Sequence, residues 1–166
     1  MSVKRLTRIS VLAGILYIAQ VSLSVIPNVE LVSPLILVFS LVFKKDALIS
    51  IMIFVILEGL FWGFGLWWFS YLYVWPILYF MIVIISKYNV SNDFIVWAIV
   101  LGLYGFGFGF LFAIVYLPLS LNAMISYWIA GLSFDLIHGI SNFLVTLIIV
   151  PRLYQVLILL KERYKF

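Results

Sequence analysis

The chain has 166 residues, is 67% hydrophobic and only 10% charged, and has a mean hydropathy of +1.29. That composition excludes a soluble globular domain, because a chain of this size cannot cover so much apolar surface. The net charge of +4 and isoelectric point near 9.4 do not point to nucleic acid either, because the bases cluster at the ends of apolar stretches, where they set topology and meet anionic headgroups.

The opening stretch, MSVKRLTRISVLAGILYIAQ, joins a basic region to an apolar run, as a signal peptide does. No small-residue cleavage site follows, and five more apolar stretches come after it, so it reads as a retained first helix, about Leu6–Val25. Pro27 and Asn28 end it and begin a short loop, Ile26–Val32. A second helix is expected over about Leu31–Phe43 and a third over about Ala47–Phe61, separated by Lys44, Lys45 and Asp46. Both are short against the roughly 20 residues of a full span. Little tilt, a thinned bilayer or shielding by neighbours would each accommodate that. Trp62–Ser70, rich in Gly and Trp, reads as a loop, followed by a fourth helix over about Tyr71–Ser86 with a bend at Pro76. Lys87–Asp93 is a polar turn. A fifth helix is expected over about Phe94–Leu117, ended by Pro118, and Leu119–Leu132 reads as an exposed segment. The sixth helix begins near Ser133 and bends at Pro151 before a basic tail.

With these six spans, all ten Lys and Arg residues fall on one side: Lys4, Arg5, Arg8, Lys44, Lys45, Lys87, Arg152, Lys161, Arg163 and Lys165. Basic segments are not readily moved across a membrane, so that side is cytoplasmic. The expected architecture is a single all-α membrane domain over residues 1–166, a bundle of six transmembrane helices with both termini in the cytoplasm.

Charged groups inside a bilayer are costly, about 2.5–3.5 kcal/mol for an Asp at a helix centre. Glu30, Glu58 and Asp135 lie on the outer half, where no Lys or Arg can pair with them. Asp135, His138 and Asn142 are spaced i, i+3 and i+7, on one face of the sixth helix. Asp135 falls in its first turn, where it could simply cap the helix and favour the dipole, with His138 bonded to it. Taken with Glu58 at similar depth, the set reads as a ligand site. Trp62, Trp67, Trp68, Tyr71, Tyr73, Trp75, Tyr127 and Trp128 surround it. Such residues collect in interfacial belts, but flat rings also stack on planar ligands. In that site Glu58 and Asp135 accept hydrogen bonds, His138 and Asn142 set orientation, and Trp67 or Trp68 closes over the ring from its loop. Gly102, Gly105, Gly107 and Gly109 mark close helix packing rather than nucleotide binding. Ser10, Ala13 and Gly14 make a surface that another helix could approach closely.

The chain has no P-loop, no GxSxG elbow and no HExxH pair. One His and no Cys leave no closed metal site and no disulfide framework. No catalytic residue, cofactor or metal is expected.

The segment Ser10 to Gly14 (SVLAG), the stretch IPNVELV from Ile26 to Val32, and GLSFDLIHGISNF from Gly131 to Phe143 resemble the substrate-binding S components of energy-coupling factor (ECF) vitamin transporters. The second and third look most like the branch associated with hydroxymethylpyrimidine or pyridoxine uptake. The resemblance implies a non-enzymatic subunit in the plasma membrane of a prokaryote. It would capture a vitamin or precursor from outside and pass it inward. Its partners would be a membrane coupling protein (T component) and two cytoplasmic ATPase subunits (A components). The coupling surface implied is Ser10, Ala13 and Gly14, where family members carry an AxxxA-like pattern. Two other readings stay open: a self-sufficient proton-coupled carrier with Glu58 or His138 titrating, and an intramembrane enzyme using Asp135 and His138 as base and acid.

Overall fold

The structure is a computed structural model that describes residues 2–88, 90 and 92–164. Lys165 of the basic tail and Asn89 and Ser91 of the polar turn lie outside the described residues. Six α-helices form the bundle: α1 (Val3–Leu23), α2 (Val32–Phe43), α3 (Lys45–Trp62), α4 (Leu66–Ile85), α5 (Phe94–Ala113) and α6 (Leu121–Tyr164). Short 3-10 turns, Ser86–Tyr88 and Ile114–Tyr116, extend α4 and α5. α1, α4, α5 and α6 are each long and apolar enough to cross a membrane.

Side-chain bonds fix which helix ends lie together. Asp46 at the start of α3 bonds Arg5 (2.8 Å) and Arg8 of α1, and Lys161 of α6 donates to the Val42 carbonyl at the end of α2 (2.8 Å). Phe94 at the start of α5 meets Tyr154 of α6. The described Lys and Arg residues lie toward this end, called here the basic end. At the opposite end Gln20 of α1 donates to Tyr71 of α4, and Ser70 of α4 donates to the Phe112 carbonyl of α5 (3.0 Å). Side-chain donors of this kind reach carbonyls across helices throughout the bundle, because apolar surroundings leave few other acceptors. Tyr104 bonds the Val74 carbonyl, Trp68 that of Val55, and Ser50 that of Ile9.

The centre of the bundle is α2. Nine of its 12 residues are buried, and at 1.5 Å per residue it is about 18 Å long. Of the ways to accommodate a short helix, shielding is the one adopted: α1, α3, α4 and α6 all pack on α2. Its N-terminal residue, Val32, is fully buried, so the preceding loop dips into the bundle. At its other end Lys44, at φ 53°, reverses the chain directly into α3.

α5 and α6 pack closely at glycines. A Cβ on Gly105 would lie 2.8 Å from the Cα of Gly139, so nothing larger fits without separating the helices.

Two expectations are corrected. The loop between α3 and α4 is only Gly63–Gly65, so Trp67 and Trp68 stand on the first turn of α4, not on a loop. α6 begins at Leu121 and runs for 44 residues, absorbing most of the outer segment expected to precede it. The Ser120 hydroxyl accepts the Ala123 N–H at its start. Asp135 therefore lies about four turns inside the helix and does not cap it.

Candidate functional site

The end opposite the bases carries a mouth built by α1, α4, α5, α6 and the loop after α1. That loop folds back on itself: Val29 N–H donates to the Ile26 carbonyl, and Asn28 sits at φ 59°, a conformation Asn tolerates better than most residues. The reversal turns Glu30 inward. One Glu30 oxygen accepts the Ser33 N–H at 2.8 Å, an acceptor for one of the free amides of the first turn of α2. The other lies 3.2 Å from Nε2 of His138 on α6, which donates to it. Burial pushes the Glu30 carboxyl up, but the bonds from His138 and Ser33 outweigh it and hold it below its ordinary 4.5.

Beneath this pair is a cavity of about 250 Å³, lined among others by Gln20, Glu30, Tyr71, Trp75, Phe108 and His138. Its walls are rings at steep angles: Tyr71 meets Trp75 edge-on at 5.4 Å, and Phe108 meets the His138 imidazole at 4.8 Å. His138 Nδ1 is buried with no protein partner, and the Trp75 indole N–H is likewise unpartnered. Asn142, one turn further along α6, is fully buried, and neither end of its amide is bonded. Buried polar groups are rarely left so. The mouth is lined by a carboxylate, an amide and an imidazole among aromatic walls, a set suited to a small planar molecule with both donors and acceptors.

Two further cavities flank this one. The first, of about 290 Å³, shares Gln20 and Ser24 with it and is lined by Glu58, Trp62 and Trp67. The second, of about 370 Å³, shares Asn28 and Phe108 and is lined by Asp135 and the rings of Phe112, Tyr127 and Phe134. No family model, curated protein or solved structure matches this chain. The chemistry of the site therefore rests on its own residues.

The residues singled out from the sequence are thus distributed. His138 is in the central cavity, with Asn142 beyond it. Asp135 faces one flanking cavity; Glu58 and Trp67 face the other. Trp68 lines none of the three, since its N–H is engaged by Val55 O and its ring packs edge-on against Phe64. Among the described residues neither Glu30, Glu58 nor Asp135 forms an ion pair with Lys or Arg. On α1, Ala13 is buried in the bundle, whereas Ser10 is exposed and Gly14 has open space where a side chain would be.

Sequence reasoning missed Gln20 and Phe108, and it left Glu30 out of the site. Glu30 had a usable signal: an acid just before a helix, with only one possible cationic partner on its side, the chain's single His. Phe108 had none, since it is one of 15 phenylalanines.

Proposed function

We propose that the chain is the substrate-specific S component of an ECF-type importer, embedded in a prokaryotic plasma membrane as six spans with both termini cytoplasmic. It captures a small vitamin or precursor of the hydroxymethylpyrimidine or pyridoxine kind from outside. It then delivers that molecule unchanged with a T component and two ATPase subunits. One observation carries this: a polar, ring-walled cavity opens at the end of the bundle opposite every described base, with unpartnered buried atoms on His138 and Trp75 in its wall and on Asn142 beyond it. Glu30 and His138 hold the loop over it, and the rings of Trp75, Tyr71 and Phe108 form part of its wall. The proposed cycle contains no bond-making step.

The decisive measurement is mass spectrometry of small molecules released from the purified protein, followed by calorimetric titration with hydroxymethylpyrimidine and pyridoxine. A retained heterocycle and copurifying ATPase subunits are expected. Absence of any retained molecule, with no binding of either compound, would count against the proposal.

A proton-coupled carrier is a second reading, favoured by Glu58, which is buried with one carboxylate oxygen unpartnered. Uptake into proteoliposomes driven by a proton gradient, with no ATPase present, would select it.

A further inference from the structure

The flanking cavity between α5 and α6 contains a carboxylate held in an unusual way. Asp135 is 6% exposed. Its Oδ1 accepts the N–H of Gly109, on the neighbouring helix, at 2.9 Å. That approach needs a glycine: a Cβ at position 109 would lie 2.7 Å from the Asp135 Cγ. The main-chain bond fixes the carboxyl group in place. The other oxygen, Oδ2, is buried and has no protein partner, and Asp135 lines the cavity.

Four aromatic side chains, Phe108, Phe112, Tyr127 and Phe134, line the chamber beside Asn28 and small residues of α5 and α6. Phe108 stacks on Phe112 at 5.8 Å, and Phe112 stacks on Tyr127 at 6.2 Å. Ring faces carry negative potential and attract cations, more strongly where water is excluded. An ionised carboxylate in the same chamber demands positive charge, because an unpaired buried charge is costly. No Lys or Arg supplies it among the described residues. A carboxylate with one oxygen fixed by a main-chain N–H, the other buried without a protein partner, and aromatic rings lining the same cavity is a receptor for an ammonium group on a short arm. The volume, about 370 Å³, admits a methylammonium arm and part of a ring. The shared residues Asn28 and Phe108 connect it to the central mouth.

We infer that Asp135, oriented by the Gly109 N–H and faced by Phe108, Phe112 and Tyr127, binds a cationic ammonium arm of the ligand and selects it over the isosteric alcohol. This rests on the mouth being a ligand site and narrows the proposed kind of ligand to its amine-bearing members, an aminomethyl heterocycle being preferred to its hydroxymethyl counterpart.

The test uses two probes of nearly equal shape, benzylammonium and benzyl alcohol, titrated by ligand-observed NMR against the full chain in nanodiscs, with empty nanodiscs subtracted. Loss of a charge-assisted bond in a dry site corresponds to about tenfold or more in affinity. Benzylammonium should therefore bind the wild type at least about tenfold tighter than benzyl alcohol. Asp135→Asn should reduce that ratio to about twofold or less while leaving benzyl alcohol unchanged. Gly109→Ala, which displaces the carboxylate from its N–H, should lower the ratio without removing any charge. Equal affinities in the wild type, no measurable benzylammonium binding, or an undiminished ratio in folded Asp135→Asn would each overturn the inference. The wild-type comparison stands even if a variant fails to fold. Failure of pyridoxine and hydroxymethylpyrimidine to bind would instead remove the vitamin assignment and leave the benzyl comparison intact.

Discussion

Replacing Glu30 by Ala removes two contacts with one side chain. The Ser33 N–H loses its acceptor, and His138 Nε2, on a side chain 4% exposed, loses its partner. Loss of an N-terminal cap costs about 0.5–2 kcal/mol, and a hydrogen bond to a charged group contributes about 1.5–3 kcal/mol. The Glu30 side chain is only 12% exposed, so water screens the pair little. Because both bonds share one carboxylate they are not fully additive, and about 2–4 kcal/mol should hold the loop closed. That corresponds to roughly 30- to 1000-fold in the opening equilibrium. Hydrogen–deuterium exchange over residues 24–40, in nanodiscs, reads this opening directly. Glu30→Ala should accelerate exchange by that factor, and Glu30→Gln by much less, since an amide can still accept from Ser33. Wild-type exchange in Glu30→Ala, to within about threefold, would refute the idea that this carboxylate fastens the loop.

Four other outcomes are expected. The Glu30 carboxyl is held below 4.5 in the folded state, so its contribution is fully present above that pH and lost as pH falls through the depressed value. Protection of residues 24–40 should decline as pH falls below 4.5, and not do so in Glu30→Gln. Gly105→Ala should destabilise the bundle by about 1–3 kcal/mol through overpacking, measured by thermal melting, whereas Gly107→Ala, with open space around the new methyl, should not. Cysteines at Lys45 and Lys87 should react only with reagent that reaches the cytoplasm, and cysteines at Asn28 and Asn122 from outside; labelling of position 87 in sealed cells would overturn the six-span topology. Gly14→Leu should abolish assembly with the T component and ATPases while ligand affinity in the isolated protein stays within about twofold, checked by copurification and calorimetry.

Much of the helical framework is legible in the sequence because bilayer-length apolar runs leave the backbone few alternatives. The shared face of Asp135, His138 and Asn142 follows from spacing alone. Misplacement of the start of α6 has a specific cause. Asn122, Ser126 and Gly131 look like loop residues, yet no proline follows Pro118 until Pro151, and nothing else in Leu121–Leu132 breaks a helix. The same oversight put Asp135 in the first turn, where capping stood as an alternative to its place in a ligand site. Spacing also could not divide the polar set among cavities. That depends on side-chain direction, which separates Asp135 from His138 although they are only three residues apart, and on Glu30 arriving from 108 positions away.

The enclosure of α2 also constrains how the protein is made. Its last turn receives a hydrogen bond from Lys161, 119 residues downstream, and its first turn is tied through Glu30 to His138, likewise on α6. Both ends of the central helix thus wait for the final helix to leave the ribosome. Arrival of α6 locks α2 at both ends and builds one wall of the mouth in the same event, so a half-synthesised chain has neither a finished centre nor a binding cavity.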